Sequence, residues 1–439
     1  MTMNRYPSYK PTGVKWLGEI PSHWEAITLK RVFIRRIAGS WGEDENKLPK
    51  NSVCLRIADF DYGKLSFKTK EEYTIRSYFE DEVENKHLIK GDILIEKSGG
   101  GEKTPVGRCV MYDLDIEKPM YANFMEKLVC QNMANPKFIN YLMSSLYTCG
   151  VIWPYVKATT GIQNLDITSL LQKETVYLPS LSEQSAIVAY LDTATAKIDA
   201  AIAQQQKMID LLNERKQIII NRAVTKGLNS NAKMKDSGVE WIGEVQKHWE
   251  MRRLKTILDI KDRRNSDPNA VLLSVYTAIG VKPRKELEEK GNKASTVIDY
   301  KIVNKGDLIV NRLLAWMGAF GLSKYDGVTS PDYDVYSFKD GNNKEFYETM
   351  FRNTQFKSDC YKYGHGIMMM RWRTYPDEFL NIIIPVPPEK EQNEILQFLM
   401  PQINRIDQGV DNCNRIISLL QERKQIIINE VVTGKIKVV

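Results

Sequence analysis

The residues of this chain that could do chemistry sit in short loops. KATTGIQNLD (157–166) sets the cation Lys157 beside the hydroxyls of Thr159 and Thr160 and the side-chain amides of Gln163 and Asn164. Those groups suit the edges of bases, where a paired donor and acceptor discriminate one base from another. GHGIMMMRWRTY (364–375) offers His365, Arg371 and Arg373 around Trp372. KSGGGEKT (97–104) places Lys97, Ser98, Lys103 and Thr104 around a flexible glycine run, which can approach a phosphate through backbone amides and charge. GDLIVNR (306–312) ends on Asn311 and Arg312. All of these are candidate DNA contacts; the alternative for each loop is a surface turn that only supports its domain.

Catalytic constellations are missing. GGGEKT has the letters of a phosphate-binding loop at the wrong spacing, and no G-x-x-x-x-G-K-[ST] is present. SPDY (330–333) is one letter from a segment that amino-methyltransferases use to hold a flipped adenine, but no G-x-G cofactor fingerprint accompanies it. Neither a zinc-deaminase signature nor a nucleophile elbow appears. The six cysteines show no C-x-x-C spacing, and two of the four histidines, His23 and His248, recur in one repeated motif, which points to a structural role. The chain reads as a binder with no catalytic residues, no metal and no cofactor of its own.

Composition agrees. A formal charge of +7 permits contact with phosphates without requiring it. Hydrophobic content of 43% and charged content of 27% are those of a folded protein, and 439 residues make more than one core. No apolar run is long enough to span a membrane and no leader is evident at the start, so the expected location is cytoplasmic.

The elements that must position these loops are duplicated. LLNERKQIIIN (211–221) returns as LLQERKQIIIN (419–429), 208 positions later. TGVKWLGEIPSHWE (12–25) returns as SGVEWIGEVQKHWE (237–250) at an offset of 225, so the second globular region is shorter by the difference, 17 residues. Trp16, Trp24, Trp241 and Trp249 in this lead-in segment are expected to dock it against something apolar. Each globular region has short β-branched runs typical of strands: 53–60, 92–98 and 106–112, then 271–276, 306–310 and 334–338. Asn135 and Pro136 open a helix that ends near Gly150, matched by one at 344–352. Pro179 and Pro387 close the two regions, and Ser180 with Glu183 reads as a capping box.

From there an uninterrupted helix of about 45 residues, close to 70 Å long, is expected. Its apolar seam runs through Leu191, Ile198, Ile202, Ile209, Leu212 and Ile219. The second copy answers with Leu399, Ile406, Ile417, Leu420 and Ile427, with Ile403 where the first has Thr195. A narrow stripe of this length is what a coiled coil requires, and matched seams are expected to pair within one chain. Periodicity leaves the direction open. If an axis crosses mid-seam, Leu212 should meet Ile403 and Thr195 should meet Leu420.

The lead-in, the P-x-x-x-E-Q helix starts and the ERKQIII helices occur in this order in both halves, and the second half carries the run GDLIVNRLLAWMGAFGLSKYDGVTSPDY (306–333), whose opening GDLIV is matched by GDILI (91–95) in the first. In this the chain resembles the specificity subunit of type I restriction-modification systems. The resemblance implies an α+β chain with two mixed α/β target-recognition domains (1–178 and 228–386), separated by two spacer helices (179–227 and 387–439) packed as an antiparallel coiled coil with pseudo-twofold symmetry. It implies recognition of a bipartite sequence in double-stranded DNA, with the gap set by the spacer, so that one heptad inserted within 198–219 should alter the preferred gap or abolish binding. It also implies two modification (methyltransferase) subunits and two restriction (translocase and nuclease) subunits as partners, which would carry S-adenosylmethionine, ATP and Mg2+. A stand-alone DNA-binding regulator and a DNA methyltransferase are the alternative readings.

Overall fold

The computed structural model describes residues 5–14, 16–159, 161–277, 279–286, 296–366 and 372–438. The chain divides into two compact units, Met1–Gln204 with Arg415–Val439, and Gln205–Asn414. Each long helix is shared. Leu181–Lys226 gives its first half to the first unit and the rest to the second, and Glu389–Val432 does the reverse. Among the described residues no helix is long and apolar enough to cross a membrane.

The first unit is built on a four-stranded antiparallel sheet in the order Cys109–Met111, Ile93–Glu96, Met125–Cys130, Phe33–Ala38. Ile93, Leu94 and Ile95 are all fully buried, which is why the sequence there is a continuous apolar run rather than an alternation. The helix Pro136–Thr148 begins where Asn135 Oδ1 accepts the N–H groups of Lys137 and Phe138 at 3.0 and 3.3 Å, with Pro136 in its first turn. Its apolar face, Phe138, Ile139, Leu142 and Leu146, shares one core with Ile187 and Leu191 of the first long helix and Ile428 and Val431 of the second.

The second unit repeats this order with Phe320–Leu322, Leu308–Asn311, Tyr333–Phe338 and Leu258–Lys261. The expected strand cores and both helices are present; the second helix is Lys344–Phe351. Strands Phe33–Ala38 and Met125–Cys130 were not expected from the sequence. Both carry charges: Glu126 and Lys127 are buried yet paired, with Arg36 and with Asp92, so the apolar signal of a strand is broken there.

Each lead-in segment is latched to the first turn of a long helix. The Glu183 carboxylate accepts Tyr6 Oη at 2.7 Å and Trp24 Nε1 at 3.1 Å, and lies 2.9 Å from His23 Nε2. Glu391 likewise accepts Trp249 Nε1 at 2.9 Å, with His248 Nε2 at 2.5 Å. Trp24 and Trp249 are buried. The next residue is duplicated in role as well: Gln184 Oε1 accepts the N–H of Asn135, and Gln392 Oε1 that of Asn343, both at 2.8 Å. This corrects the capping box. Ser180 Oγ does accept the Glu183 N–H at 3.4 Å, but the Glu183 carboxylate turns to the lead-in segment rather than back to the cap.

The two long helices run antiparallel where they meet. In the second unit Leu212 lies against Gly409, where an added Cβ would sit 3.2 Å from Leu212 Cδ1, and Lys216 Nζ reaches Asp407 Oδ1 at 2.7 Å. In the first, Lys424 Nζ meets Asp199 at 2.6 and 2.7 Å. This register corrects the mid-seam expectation. Leu212 meets Gly409 instead of Ile403, which shares a cavity wall with Ile220, and Thr195 lines a cleft with Lys424 instead of meeting Leu420. The apolar stripe alone tolerates a slide along the seam; the lysine–aspartate pairs do not. None of the twelve expected seam residues is exposed. Ile219 and Ile427 are only half-buried, however, while their neighbours Ile220 and Ile428 point into the two cores.

Candidate nucleic-acid interface

In the first unit the candidate residues converge on a small three-stranded sheet, Ser98–Gly99, Ile162–Leu165 and Val156–Thr159. The hairpin follows from Gly161, whose φ of +85° lets the chain reverse between two β-prone runs. Ser98 is in register with Asn164, and its hydroxyl donates to Asn164 Oδ1 at 2.6 Å. The backbone oxygen of Lys97 accepts the Leu165 N–H at 2.9 Å, which fixes the hairpin to the end of the central strand. The Lys97 ammonium is exposed and makes no ion pair among the described residues.

Gln163 is placed differently from the expectation that its amide faces a base. Its Oε1 accepts the Val106 N–H at 3.0 Å and its Nε2 donates to the Gly101 oxygen at 3.3 Å. The amide therefore braces the glycine run, which the structure holds as a turn closed by Gly101 N–H on the Thr104 oxygen at 3.0 Å. Gly100 sits in the left-handed region, and a Cβ there would come within 2.6 Å of Val106 N, so only glycine fits. Lys103 and Thr104 are exposed on that turn.

Lys157 Nζ pairs with Asp166 Oδ2 at 2.9 Å, and Asp166 caps the helix Ile167–Lys173 through Ser169. Lys157 and then the Ser169 hydrogen bonds hold the Asp166 carboxyl down at about 2. Thr159 ends the first hairpin strand, and Thr160 lies outside the described residues. Beneath the sheet, buried Glu96 accepts from Arg108 Nε at 3.1 Å and Nη2 at 2.8 Å, with the guanidinium 3.7 Å from the centre of the Tyr62 ring.

The second unit builds the same junction from other letters. The Thr374 N–H donates to the backbone oxygen of Arg312 at 3.0 Å, as Leu165 does to Lys97, so the two candidate loops dock on equivalent strand ends. His365 and Arg373 exchange backbone hydrogen bonds at 2.9 and 3.0 Å, and His365 Nδ1 lies 2.5 Å from Glu378 Oε1. The Arg373 side chain makes no ion pair among the described residues, and Arg371 lies outside them.

Asn311 and Arg312 are held internally, against their reading as contacts. Asn311 is buried, and its Oδ1 accepts the Leu313 N–H at 3.0 Å. Arg312 grips Asp334 with Nε at 2.8 Å and Nη2 at 2.5 Å. Asp334 also takes Lys301 Nζ at 3.0 Å; Asp334 and Lys301 are buried and Arg312 is half-buried over them. Two aromatic residues outside the sequence candidates join Trp372: Tyr361 stacks on it at 4.8 Å, and Trp316 lies edge-on to Tyr361 at 6.1 Å. Only the tryptophan between two arginines signalled them, because Trp316 and Tyr361 join it through the fold.

Comparison with known proteins gives a consistent neighbourhood. No protein-family model matches the chain. It is similar to a putative type I restriction enzyme MjaX specificity subunit of Methanocaldococcus jannaschii, 23% identical over 438 residues and spanning 96% of each chain. The type I restriction enzyme MjaVIII specificity subunit of the same organism is 26% identical over 223 residues, 48% of this chain and 47% of the relative. In fold, the chain matches one from a structure described as the basis of complex assembly and conformational transition of the type I R-M system. That match has a TM-score of 0.64 and 13% identity over 94% of this chain and 98% of the other. Two mixed α/β regions, two long antiparallel helices and an internal duplication are the expected fold class.

Proposed function

We infer that the chain belongs to the specificity subunits of type I restriction-modification systems, and that it selects a bipartite DNA sequence for partner subunits that modify and cut. One observation carries this reading. In a duplicated fold the two reader loops dock on equivalent strand ends, through Leu165 on Lys97 and Thr374 on Arg312, yet bear unlike side chains. Such an arrangement suits one chain that reads two different short sequences. On this reading the recognition domains are 1–178 and 228–386, and the spacer segments 179–227 and 387–439.

The partners are two modification subunits, which bind S-adenosylmethionine, and two restriction subunits, which use ATP and Mg2+. Support for equal docking positions comes from outside the seam. Leu211 and Ile218 are 49% and 59% exposed, and their duplicates Leu419 and Ile426 are 56% and 46% exposed. Each pair is flanked by the same two exposed charges, Glu214 and Arg215 or Glu422 and Arg423, none in an ion pair among the described residues. Coiled-coil packing does not require these positions to match. A common partner that contacts both does.

The test is co-expression with the modification subunit, followed by native mass spectrometry and methylation footprinting of genomic DNA. The expected result is two modification subunits per chain and methylation at a split sequence. Leu211→Glu with Ile218→Glu should leave one subunit bound. A chain that captures no modification subunit and directs no methylation refutes the reading.

A further inference from the structure

The second unit stacks Tyr361 on Trp372 face to face at 4.8 Å, whereas beside the first unit's hairpin the exposed Trp153 meets Tyr147 only edge-on at 6.4 Å. Tyr361 is 41% exposed, and Met317 beside Trp316 is 46% exposed. Both indole donors are occupied: Trp372 Nε1 donates to the Tyr361 oxygen and Trp316 Nε1 to the Leu313 oxygen, each at 3.0 Å. The tryptophans therefore have only carbon surface to present. Trp372 is part of the reader loop itself, two residues before the Thr374 N–H that fixes the loop to Arg312.

Charge indicates what meets this surface. Lys357, one turn before Tyr361 on the helix Thr354–Tyr363, and Lys362 beside it make no ion pair among the described residues, nor does Arg373 next to Trp372. An apolar ledge ringed by unpaired cations suits a polyanion that displays apolar groups between its phosphates. In the major groove of DNA the group that answers this description is the thymine 5-methyl. At the matching place the first unit has the Ser98 hydroxyl and the Asn164 amide, joined at 2.6 Å.

Resting on the DNA-reading role above, we propose that the second unit selects its half-site through apolar contact of the Tyr361–Trp372 ledge with thymine methyl groups, whereas the first selects by polar side chains. The two halves of the target then differ in the kind of chemistry that reads them, as well as in sequence.

The experiment uses the full chain with its modification partner and a duplex of the footprinted sequence, with deoxyuridine replacing thymidine one position at a time. In the half-site read by the second unit, at least one replacement should weaken binding about fourfold, the worth of one buried CH2 group. Trp372→Ala and Tyr361→Ala should erase that difference. Tyr361→Phe, which keeps the ring, should retain it, and deoxyuridine responses in the other half-site should be unchanged by all three.

The proposal is overturned if no replacement in that half-site matters, or if Trp372→Ala discriminates thymidine from deoxyuridine as the parent does. It is equally overturned if the variants keep this discrimination and lose a protein partner instead. Should Trp372→Ala fail to fold, Trp372→Leu carries the same test, since it keeps an apolar side chain without the stacked ring and must shrink the response. Failure of the parent to bind the duplex would instead refute the DNA-reading role.

Discussion

Lys424 Nζ lies 2.6 and 2.7 Å from the two carboxylate oxygens of Asp199, and under the 208-residue offset the same pair recurs as Lys216 with Asp407 at 2.7 Å. The lysine of ERKQIII thus meets the aspartate of the opposite helix in both copies. The pairs differ in setting. The Lys424 side chain is buried and also donates to the Gly63 oxygen at 2.7 Å, whereas Lys216 and Asp407 are both more open.

Removing the aspartates should therefore have unequal effects. Asp199→Ala leaves a buried ammonium with only one carbonyl partner and should cost about 2–3 kcal/mol, reduced from the fully buried range because Asp199 is partly exposed. Asp407→Ala should cost about 1 kcal/mol or less. Urea unfolding midpoints of the two variants give the comparison, and equal shifts would contradict the assigned environments.

The register can be checked by chemistry. Leu212→Cys with Gly409→Cys should form a disulfide within the monomer under mild oxidation, because the two positions face each other. Leu212→Cys with Ile403→Cys should not. Non-reducing electrophoresis reads both, and the reverse pattern would restore the mid-seam register.

Sequence choice should be modular. Replacing residues 151–172 with the matching segment of a relative exchanges the hairpin and the helix that follows it, and should change one half of the methylated sequence only. Footprints altered in both halves would show that the loops are not independent readers.

Lys97 is exposed, has no acidic partner among the described residues, and stands where the hairpin joins the sheet. Lys97→Ala should weaken binding to every sequence alike and lower the slope of log K against log salt by about 1. Asn164→Ala should change which sequence is preferred. Gln163→Ala should instead weaken binding generally, because its amide holds the glycine turn. Titrations at several salt concentrations separate these outcomes.

Acid should loosen the lead-in latch of the first unit. Burial acts to raise the Glu183 carboxyl, but hydrogen bonds from Tyr6, His23 and Trp24 together outweigh it and hold the group below its usual 4.5. A depressed carboxyl stabilises the fold fully above the unfolded-state value, and the contribution is lost as pH falls through the folded one. Glu183→Gln should cost about 1.5–3 kcal/mol at pH 7, the range for hydrogen bonds to a charged group. The gap from the parent should close as pH falls below the usual carboxyl value of 4.5 and through the depressed folded one. A gap that does not change with pH would mean that the charge plays no part.

The sequence by itself determined the duplication, the long helices and the cores of the β-branched strands. Each is a local or periodic property: a repeated string, a seam at three-and-four spacing, β-branched runs, and an asparagine before a proline. It also marked the candidate loops, because hydroxyls, amides and cations crowded together are visible as letters. It did not show which of those side chains are available. Asn311, Arg312 and Gln163 look like contacts in a string, but each is engaged by a group distant in sequence or by a turn of its own backbone. Burial and hydrogen bonding are settled only when Asp334 or Val106 arrives beside them. Helix register followed the same rule, since a uniform apolar stripe is nearly indifferent to sliding and the choice fell to Lys424 with Asp199 and Lys216 with Asp407. The Tyr361–Trp372 ledge, too, comes from tertiary structure, because its rings are brought together by a helix and a loop that no spacing rule connects.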